Sequence, residues 1–239
     1  MILQDGERLE DLQCGGLKIL QNKNLYTFTS DSVILANFVK TKKNDFCVEI
    51  GAGSGVISIL VNAKNNLKKI VCFEIQPQMA QLCQKNIELN NLVEKIEVIC
   101  CDAKKQGVVA KESVDIIFSN PPYFKETNFV QSQVKKIAKE EVCLSCQDLV
   151  LTASNLLKSG GVFYACYSAE RSCELISLCQ KNRLMVKEMF FTENGKGDVK
   201  LVFIKAVKDA KSGVKVLKNL VTNDQNGDYL EILKTKYFI

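Results

Sequence analysis

The chain has 239 residues, 46% of them apolar and 25% charged, which suits one large domain, or one domain with an appendage, around a sizeable core. It contains no histidine, which removes imidazole bases, Ser-His-Asp and Cys-His triads and most catalytic zinc sites. The formal net charge is +5, but ten Lys/Arg face four Asp/Glu between Lys181 and Asn219, so that stretch reads either as a polyanion-binding face or as an ordinary solvated lysine-rich surface.

The N-terminus, Met1-Ile2-Leu3-Gln4-Asp5-Gly6-Glu7, has neither a basic region nor an apolar core, so no secretory signal is expected. No apolar run approaches the roughly 18 residues of a membrane span, and a cytoplasmic protein is the expectation. The eleven cysteines are scattered, several within apolar runs (Cys47, Cys72, Cys100, Cys166), and read as small buried hydrophobes in a reducing compartment. Residues 7–22 look irregular, and Leu25-Tyr26-Thr27-Phe28 reads as a short strand. Thr29-Ser30-Asp31-Ser32 offers capping side chains before an apolar helical segment over 33–39.

Phe46-Cys47-Val48-Glu49-Ile50 is the first core strand, followed by Gly51-Ala52-Gly53-Ser54-Gly55 and a helix from Val56. Strand, glycine turn and helix form the opening of a nucleotide-binding βαβ unit, with the helix N-terminus facing the ligand. A dinucleotide fingerprint places glycine first, third and sixth; here the sixth residue is Val56. Glu49, just before the turn, is also an awkward neighbour for a pyrophosphate. Both features disfavour NAD and suit a cofactor with a polar or cationic end and no phosphates.

Ile70 to Phe73 is the second strand and ends in Glu74, placed where a carboxylate accepts two ribose hydroxyls. Pro77 suits a first helical turn, and Met79, Leu82, Cys83, Asn86, Ile87 and Asn90 recur at helical spacing, which reads as core packing. Ile96 to Cys100 is the third strand, with Asp102 just past its end, where it can accept from an adenine amino group. Each acid alone reads more simply as a cap on the next helix; three acids at three successive strand ends favour a ligand.

Val114 to Phe118 is a buried strand that runs into Ser119-Asn120-Pro121-Pro122-Tyr123-Phe124. Two prolines end the ladder and push Asn120 into an extended conformation, giving a rigid polar tip at the carboxyl end of an interior strand. Residues 125–136 read as an active-site loop. Cys143-Leu-Ser-Cys146 is a C-x-x-C pair, but a zinc or redox site needs a second ligand pair or a thioredoxin-like context, and no metal is expected. Ser145 to Asp148 resembles a capping box, Gly160-Gly161 is expected to end that helix, and Val162 to Cys166 is the fifth strand. A helix through Leu175 and Cys179 follows. Residues 185–191 and 199–207 then form an antiparallel pair joined by Asn194-Gly195-Lys196-Gly197. The tail, 208–239, is basic and then aromatic, without an assignment.

This order predicts an α/β fold: a doubly wound, mostly parallel seven-stranded sheet with an antiparallel edge strand. Here the chain resembles the Rossmann-like S-adenosylmethionine-dependent methyltransferases. The resemblance makes Glu49, Gly51, Gly53 and Gly55 the cofactor turn, Glu74 the ribose acid, Asp102 the residue beside the adenine, and Asn120-Pro121-Pro122-Tyr123 the N-P-P-Y motif of amino-methylating members. An exocyclic amine conjugated to a ring is a weak nucleophile because its lone pair is delocalised. The Asn120 side-chain oxygen and the Pro121 carbonyl can each accept one amino hydrogen, turning the lone pair toward a sulfonium methyl while Tyr123 stacks on the base.

Residues 7–13, 28–36 and 217–237 are further similar to the bacterial tRNA(Val) adenine-N6 methyltransferase family, which modifies adenine 37 beside the anticodon. That resemblance implies S-adenosylmethionine as cofactor, tRNA as partner, no membrane and no metal, with the oligomeric state open and a monomer favoured. It also brings Asp31 near the methionine end of the cofactor, able to pair with its ammonium, and makes Asn120 a cofactor neighbour as well. The family's Ala-Arg-His pattern is Ala138-Lys139-Glu140 here, so a contact made by that histidine has no counterpart. The expected division is an N-terminal extension on the cofactor site (1–45), the methyltransferase domain (46–207) and a tail (208–239). Protein-glutamine N5-methylation uses the same motif, but such enzymes usually carry a longer N-terminal domain. Another nucleic-acid amino-methyltransferase and a non-catalytic nucleic-acid-binding module are the remaining alternatives.

Overall fold

A computed structural model describes residues 3–65, 67–105, 107–121 and 144–224. The described chain opens with an antiparallel hairpin, β1 (Glu7–Asp11) and β2 (Lys18–Asn22). The expectation of an irregular segment is corrected: β1 is almost wholly at the surface and so lacks the alternation that marks a half-buried strand. The expected strand over 25–28 is absent. Phe28 N instead donates to the Gln21 side chain at 3.1 Å, and the segment leads into α1 (Ser30–Phe38). Thr29 is the N-cap, yet its hydroxyl bonds Asp31 at 2.9 Å rather than a backbone amide.

The core follows as β3 (Phe46–Ile50), α2 (Val56–Lys64), β4 (Lys69–Glu74), α3 (Pro77–Leu89), β5 (Ile96–Cys100) and β6 (Val114–Ser119). Next come α4 (Cys146–Leu156), β7 (Leu157–Ser168), α5 (Ser172–Lys181), β8 (Leu184–Glu193) and β9 (Val199–Lys208). Two short strands, β10 (Lys215–Val216) and β11 (Leu220–Val221), lie along β8. Sheet order is β10-β8-β9-β7-β6-β3-β4-β5, with β11 also on β8. Within this sheet all pairings are parallel except those of β9, which runs antiparallel to both β7 and β8. The sheet has nine strands rather than seven, because the tail adds the two short ones.

The winding reverses direction at β3, which pairs with β4 on one side and β6 on the other. Crossovers that leave in opposite directions open a crevice at the carboxyl ends of those strands. Alternation along the strands splits the core between two faces. Cys47, Ile70, Ile116 and Phe118 pack toward α1 and α2, while Val48, Ile50, Val71 and Ile117 pack toward α4 and α5.

The capping box of α4 is present, with Ser145 accepting from Asp148 N. The helix ends at Leu156, before Gly160-Gly161, so these glycines do not cap it. They lie in β7 beside a register shift against β6; a Cβ at Gly161 would stand 2.8 Å from the Lys158 carbonyl. α1 is fixed on the sheet by Phe38, whose ring meets Tyr164 at 5.4 Å and Phe190 at 5.1 Å, both edge-on.

Candidate active site

The crevice at the carboxyl ends of β3, β4 and β6 is a cleft of about 700 Å³, counting the solvent at its mouth. Gly51, Gly53, Glu74, Asp102 and Asn120 all line it, together with Tyr26, Met79, Cys101 and Leu144. Five sequence-predicted residues from four separate loops therefore converge.

The glycine turn is built to present flat backbone. Gly51, Gly53 and Gly55 have φ of 75°, 56° and 81°, the left-handed region that costs glycine little. A Cβ at Gly51 would meet nothing within 4 Å, so only the open cleft lies there. Gly55 differs: its Cβ would stand 2.7 Å from Cys83 Sγ, so this glycine permits the turn to press on α3. Gly51 N and Ala52 N donate to the Phe73 carbonyl, Gly53 N to Glu74 at 2.8 Å and Gly55 N to the Ala52 carbonyl. With those four amides committed inside the protein, the turn is a poor nest for a pyrophosphate, as its spacing predicts.

Glu74 is 5% exposed and holds both sides of the cleft floor, accepting from Gly53 N and from Gln76 N at 2.9 Å. Burial raises its carboxyl above the ordinary value, against the pull of those amides. A carboxylate offers about four acceptor positions, so room remains for a sugar hydroxyl. Asp102 accepts from Lys104 N at 3.0 Å, with the Lys104 ammonium 3.8 Å away. The acid thus serves its own turn and still faces a pocket walled by Cys101, Ala103 and Leu144.

Glu49 lies elsewhere. It is fully buried beneath the turn, and its Oε2 accepts from Ser58 N at 3.1 Å and from the Ser58 hydroxyl. Oε1 has no partner among the described residues, and burial pushes the carboxyl up to about 8. It therefore acts on the turn and α2 and does not line the cleft. Asp31 does not line it either; its carboxylate accepts from the Thr29 hydroxyl, and its charge adds to burial, the larger cause, in raising the Tyr26 phenol.

Asn120 follows β6, whose last residue, Ser119, donates from its hydroxyl to the Ile50 carbonyl at 2.6 Å and ties this strand end to β3. The Asn120 amide donates from Nδ2 to Ser32 Oγ at 3.1 Å. Ser32 is buried in α1, so the helix holds the Nδ2 end of the amide in place. Among the described residues Asn120 Oδ1 is buried without a hydrogen-bond partner. A buried acceptor left unpaired costs about 1–3 kcal/mol, and such an atom at the wall of a cleft is a place for a ligand donor. Pro121 is buried beside it. Pro122 and Tyr123 fall outside the described residues, as do the 125–136 loop and Cys143.

Sequence reasoning did not single out Ser32, Tyr26 or Asn86. Asn86, completely buried, accepts from Leu20 N at 2.6 Å and donates to the Leu20 carbonyl at 3.0 Å and the Ser54 carbonyl at 2.9 Å. Asn90, one turn on, does the same for Lys18. Two asparagines at i and i+4 thus take the place of a neighbouring strand for β2, and Asn86 joins the hairpin to the glycine turn. An Asn-x-x-x-Asn spacing on an otherwise apolar helix face is the available signal. No cluster of three metal-ligating side chains occurs among the described residues, and no described helix is long and apolar enough to cross a membrane.

The family model of the methyltransferase small domain matches residues 27–182. The chain belongs to that family: it is a methyltransferase, with S-adenosylmethionine as its cofactor. A relative from Flavobacteriaceae bacterium (strain 3519-10), named tRNA1(Val) (adenine(37)-N6)-methyltransferase, is 26% identical over 168 residues, covering 70% of this chain and 71% of its own. One of the same name from Shewanella halifaxensis is 29% identical over 136 residues, and this chain spans only 54% of its length. Among solved structures, an Agrobacterium tumefaciens protein described as a predicted O-methyltransferase gives a TM-score of 0.68 at 18% identity, covering 87% of this chain and 97% of its own. Methanocaldococcus jannaschii Trm5 in complex with adenosine gives 0.65 at 20% identity, covering 87% and 58%. At these identities the solved structures speak for the fold alone.

Proposed function

We propose that this methyltransferase acts on N6 of an adenine in tRNA, and that the adenine is nucleotide 37 of tRNA(Val), as in the relatives' names. The observation that carries the reading is the Asn120 amide. Ser32 holds its N–H₂ end, and its carbonyl oxygen is buried and without a partner among the described residues, in a side chain that lines the cleft. An amide presented this way seeks a hydrogen-bond donor, and an exocyclic amine is one.

In this reading Glu74 holds the ribose hydroxyls of S-adenosylmethionine, Asp102 faces the adenine, and Gly51 and Gly53 let the cofactor lie against the backbone. The cofactor supplies a methyl group on a sulfonium. Asn120 Oδ1 and the Pro121 carbonyl each take one hydrogen of the target amine, and Tyr123 stacks on its ring. Holding the amine this way localises its lone pair and aims it, so positioning does most of the work. The proton released afterwards goes to water, in keeping with a chain that has no histidine.

The test is mass spectrometry of nucleosides from the tRNA of a strain lacking the gene. Loss of N6-methyladenosine, restored by the wild-type gene and not by Asn120→Ala, supports the reading. An unchanged nucleoside profile overturns it. Methylated glutamine disappearing from a protein instead would favour the protein-amide alternative.

A further inference from the structure

The fold sorts the ten cations between Lys181 and Asn219 into two groups. Four serve the fold itself. Lys208, 2% exposed, donates to Glu112 at 3.0 Å, the Ser154 carbonyl at 2.8 Å and the Leu157 carbonyl at 2.7 Å. Lys205 pairs with Glu188 and Arg183 with Asp209, each at 2.7 Å, and Lys187 donates to the Lys211 carbonyl at 3.2 Å. Lys181, Lys196, Lys200, Lys211, Lys215 and Lys218 are exposed and have no ion pair among the described residues.

Strand register places five of these six on one rim. β8 runs in the same direction as β7, because both are antiparallel to β9. Its carboxyl end therefore lies at the end of the sheet that carries Gly51, Glu74 and Asn120. Lys196 sits in the β8–β9 turn and Lys200 opens β9, both at that end. Along the outer side of β8 the tail climbs the same way: Lys211 is beside Lys187, Lys215 opposite Glu188, and Lys218 precedes the pairing of Leu220 with Thr192. The six steps along β8 from Lys187 to Glu193 correspond to roughly 20 Å of climb at 3.3 Å per residue. Two acids of this region, Glu188 and Asp209, are consumed by ion pairs; Glu193, Asp198 and Asp224 are the others.

We infer that Lys211, Lys215, Lys218, Lys196 and Lys200 form a ladder that holds successive RNA phosphates and leads the strand over the β8 edge to the cleft. A row of ammonium groups along a strand edge suits a repeating anion, and such contacts set register without reading sequence. The inference rests on the reading of RNA as substrate.

The experiment measures binding of an unmodified tRNA(Val) transcript from about 0.05 to 0.3 M salt. It compares Lys196→Ala/Lys215→Ala/Lys218→Ala with a control, Lys42→Ala/Lys43→Ala/Lys68→Ala. The control lysines are exposed and lie at the amino ends of β3 and β4, away from the cleft. The ladder variant should bind roughly ten- to fifty-fold more weakly near 0.15 M salt, with a log–log salt slope shallower by about two, while the control stays within about threefold of wild type. Both variants should bind S-adenosylmethionine as wild type does. Equal loss in both variants, or an unchanged slope in the ladder variant, overturns the ladder. If wild type methylates tRNA while the ladder variant binds normally, only this inference falls; if wild type neither binds nor methylates tRNA, the substrate reading falls with it.

Discussion

Removing the hydroxyl of Ser32 isolates the orienting contact on which the chemistry depends. In Ser32→Ala the Asn120 Nδ2 loses its acceptor at 3.1 Å, and nothing else in the described site distinguishes the two ends of the amide. One neutral hydrogen bond is worth about 1 kcal/mol. An amide free to turn also spends time presenting N–H groups to the amine, where they repel. A combined 1–2 kcal/mol corresponds to a single-turnover rate roughly 5- to 30-fold lower. The cofactor contacts proposed for Glu74 and the glycine turn do not involve Ser32, so S-adenosylmethionine affinity should hold within about twofold. Ser32→Thr keeps the hydroxyl and should retain most of the rate. The assay is methyl transfer to tRNA in single turnover, with cofactor binding by calorimetry and a thermal melt beside it. A rate within twofold of wild type, or a loss confined to cofactor affinity or melting temperature, would refute the orienting role.

Three further outcomes follow from buried polar groups. Glu49 keeps its proton in the folded chain up to about pH 8, whereas the unfolded chain loses it near 4.5. Stability should therefore fall by about 1.4 kcal/mol per pH unit between those values, on that group's account. Glu49→Gln should flatten this pH dependence in chemical denaturation and be more stable than wild type at pH 8; a parallel decline in both would contradict it. Asn86→Ala leaves Leu20 N, the Leu20 carbonyl and the Ser54 carbonyl without their partner. It should cost about 2–4 kcal/mol and speed hydrogen exchange in β2, and unaltered exchange there would show the hairpin held by other means. Lys208→Met strands two buried carbonyls and should cost about 2–4 kcal/mol in urea unfolding; a loss below 1 kcal/mol would mean the site repacks.

The sequence made the central sheet readable because its strands are short, continuous apolar runs closed by glycine, acid or proline, the pattern of strands buried on both faces. The N-terminal hairpin escaped that logic. β1 shows only Leu9 among four charged residues, and β2 buries Ile19, Leu20 and Gln21 in succession, without the alternation of a half-buried strand, while side-chain amides of α3 dock its backbone. Gly160-Gly161 was legible as a break but not as a bulge, since only the register of β7 on β6 decides between them. Gly51, Gly53, Glu74, Asp102 and Asn120, legible in the sequence by their places at strand ends, line one cleft. Ser32 was not legible, because a serine in a helix's first turn reads as a capping residue until the fold brings it 88 residues along the chain to Asn120. Glu49 was placed at the turn correctly in the chain, but strand parity turns its side chain beneath the turn, toward Ser58.

The account turns on Asn120 Oδ1 as the acceptor that prepares the amine. Its most direct test is single-turnover methylation of a tRNA(Val) transcript by wild type and by Asn120→Ala, with the product read by nuclease mapping and mass spectrometry. Wild type should place one methyl on N6 of adenine 37, and Asn120→Ala should bind S-adenosylmethionine within a few-fold of wild type yet transfer no methyl. Transfer by Asn120→Ala at a rate near that of wild type, or a methyl found on any atom other than an exocyclic amine, would contradict it.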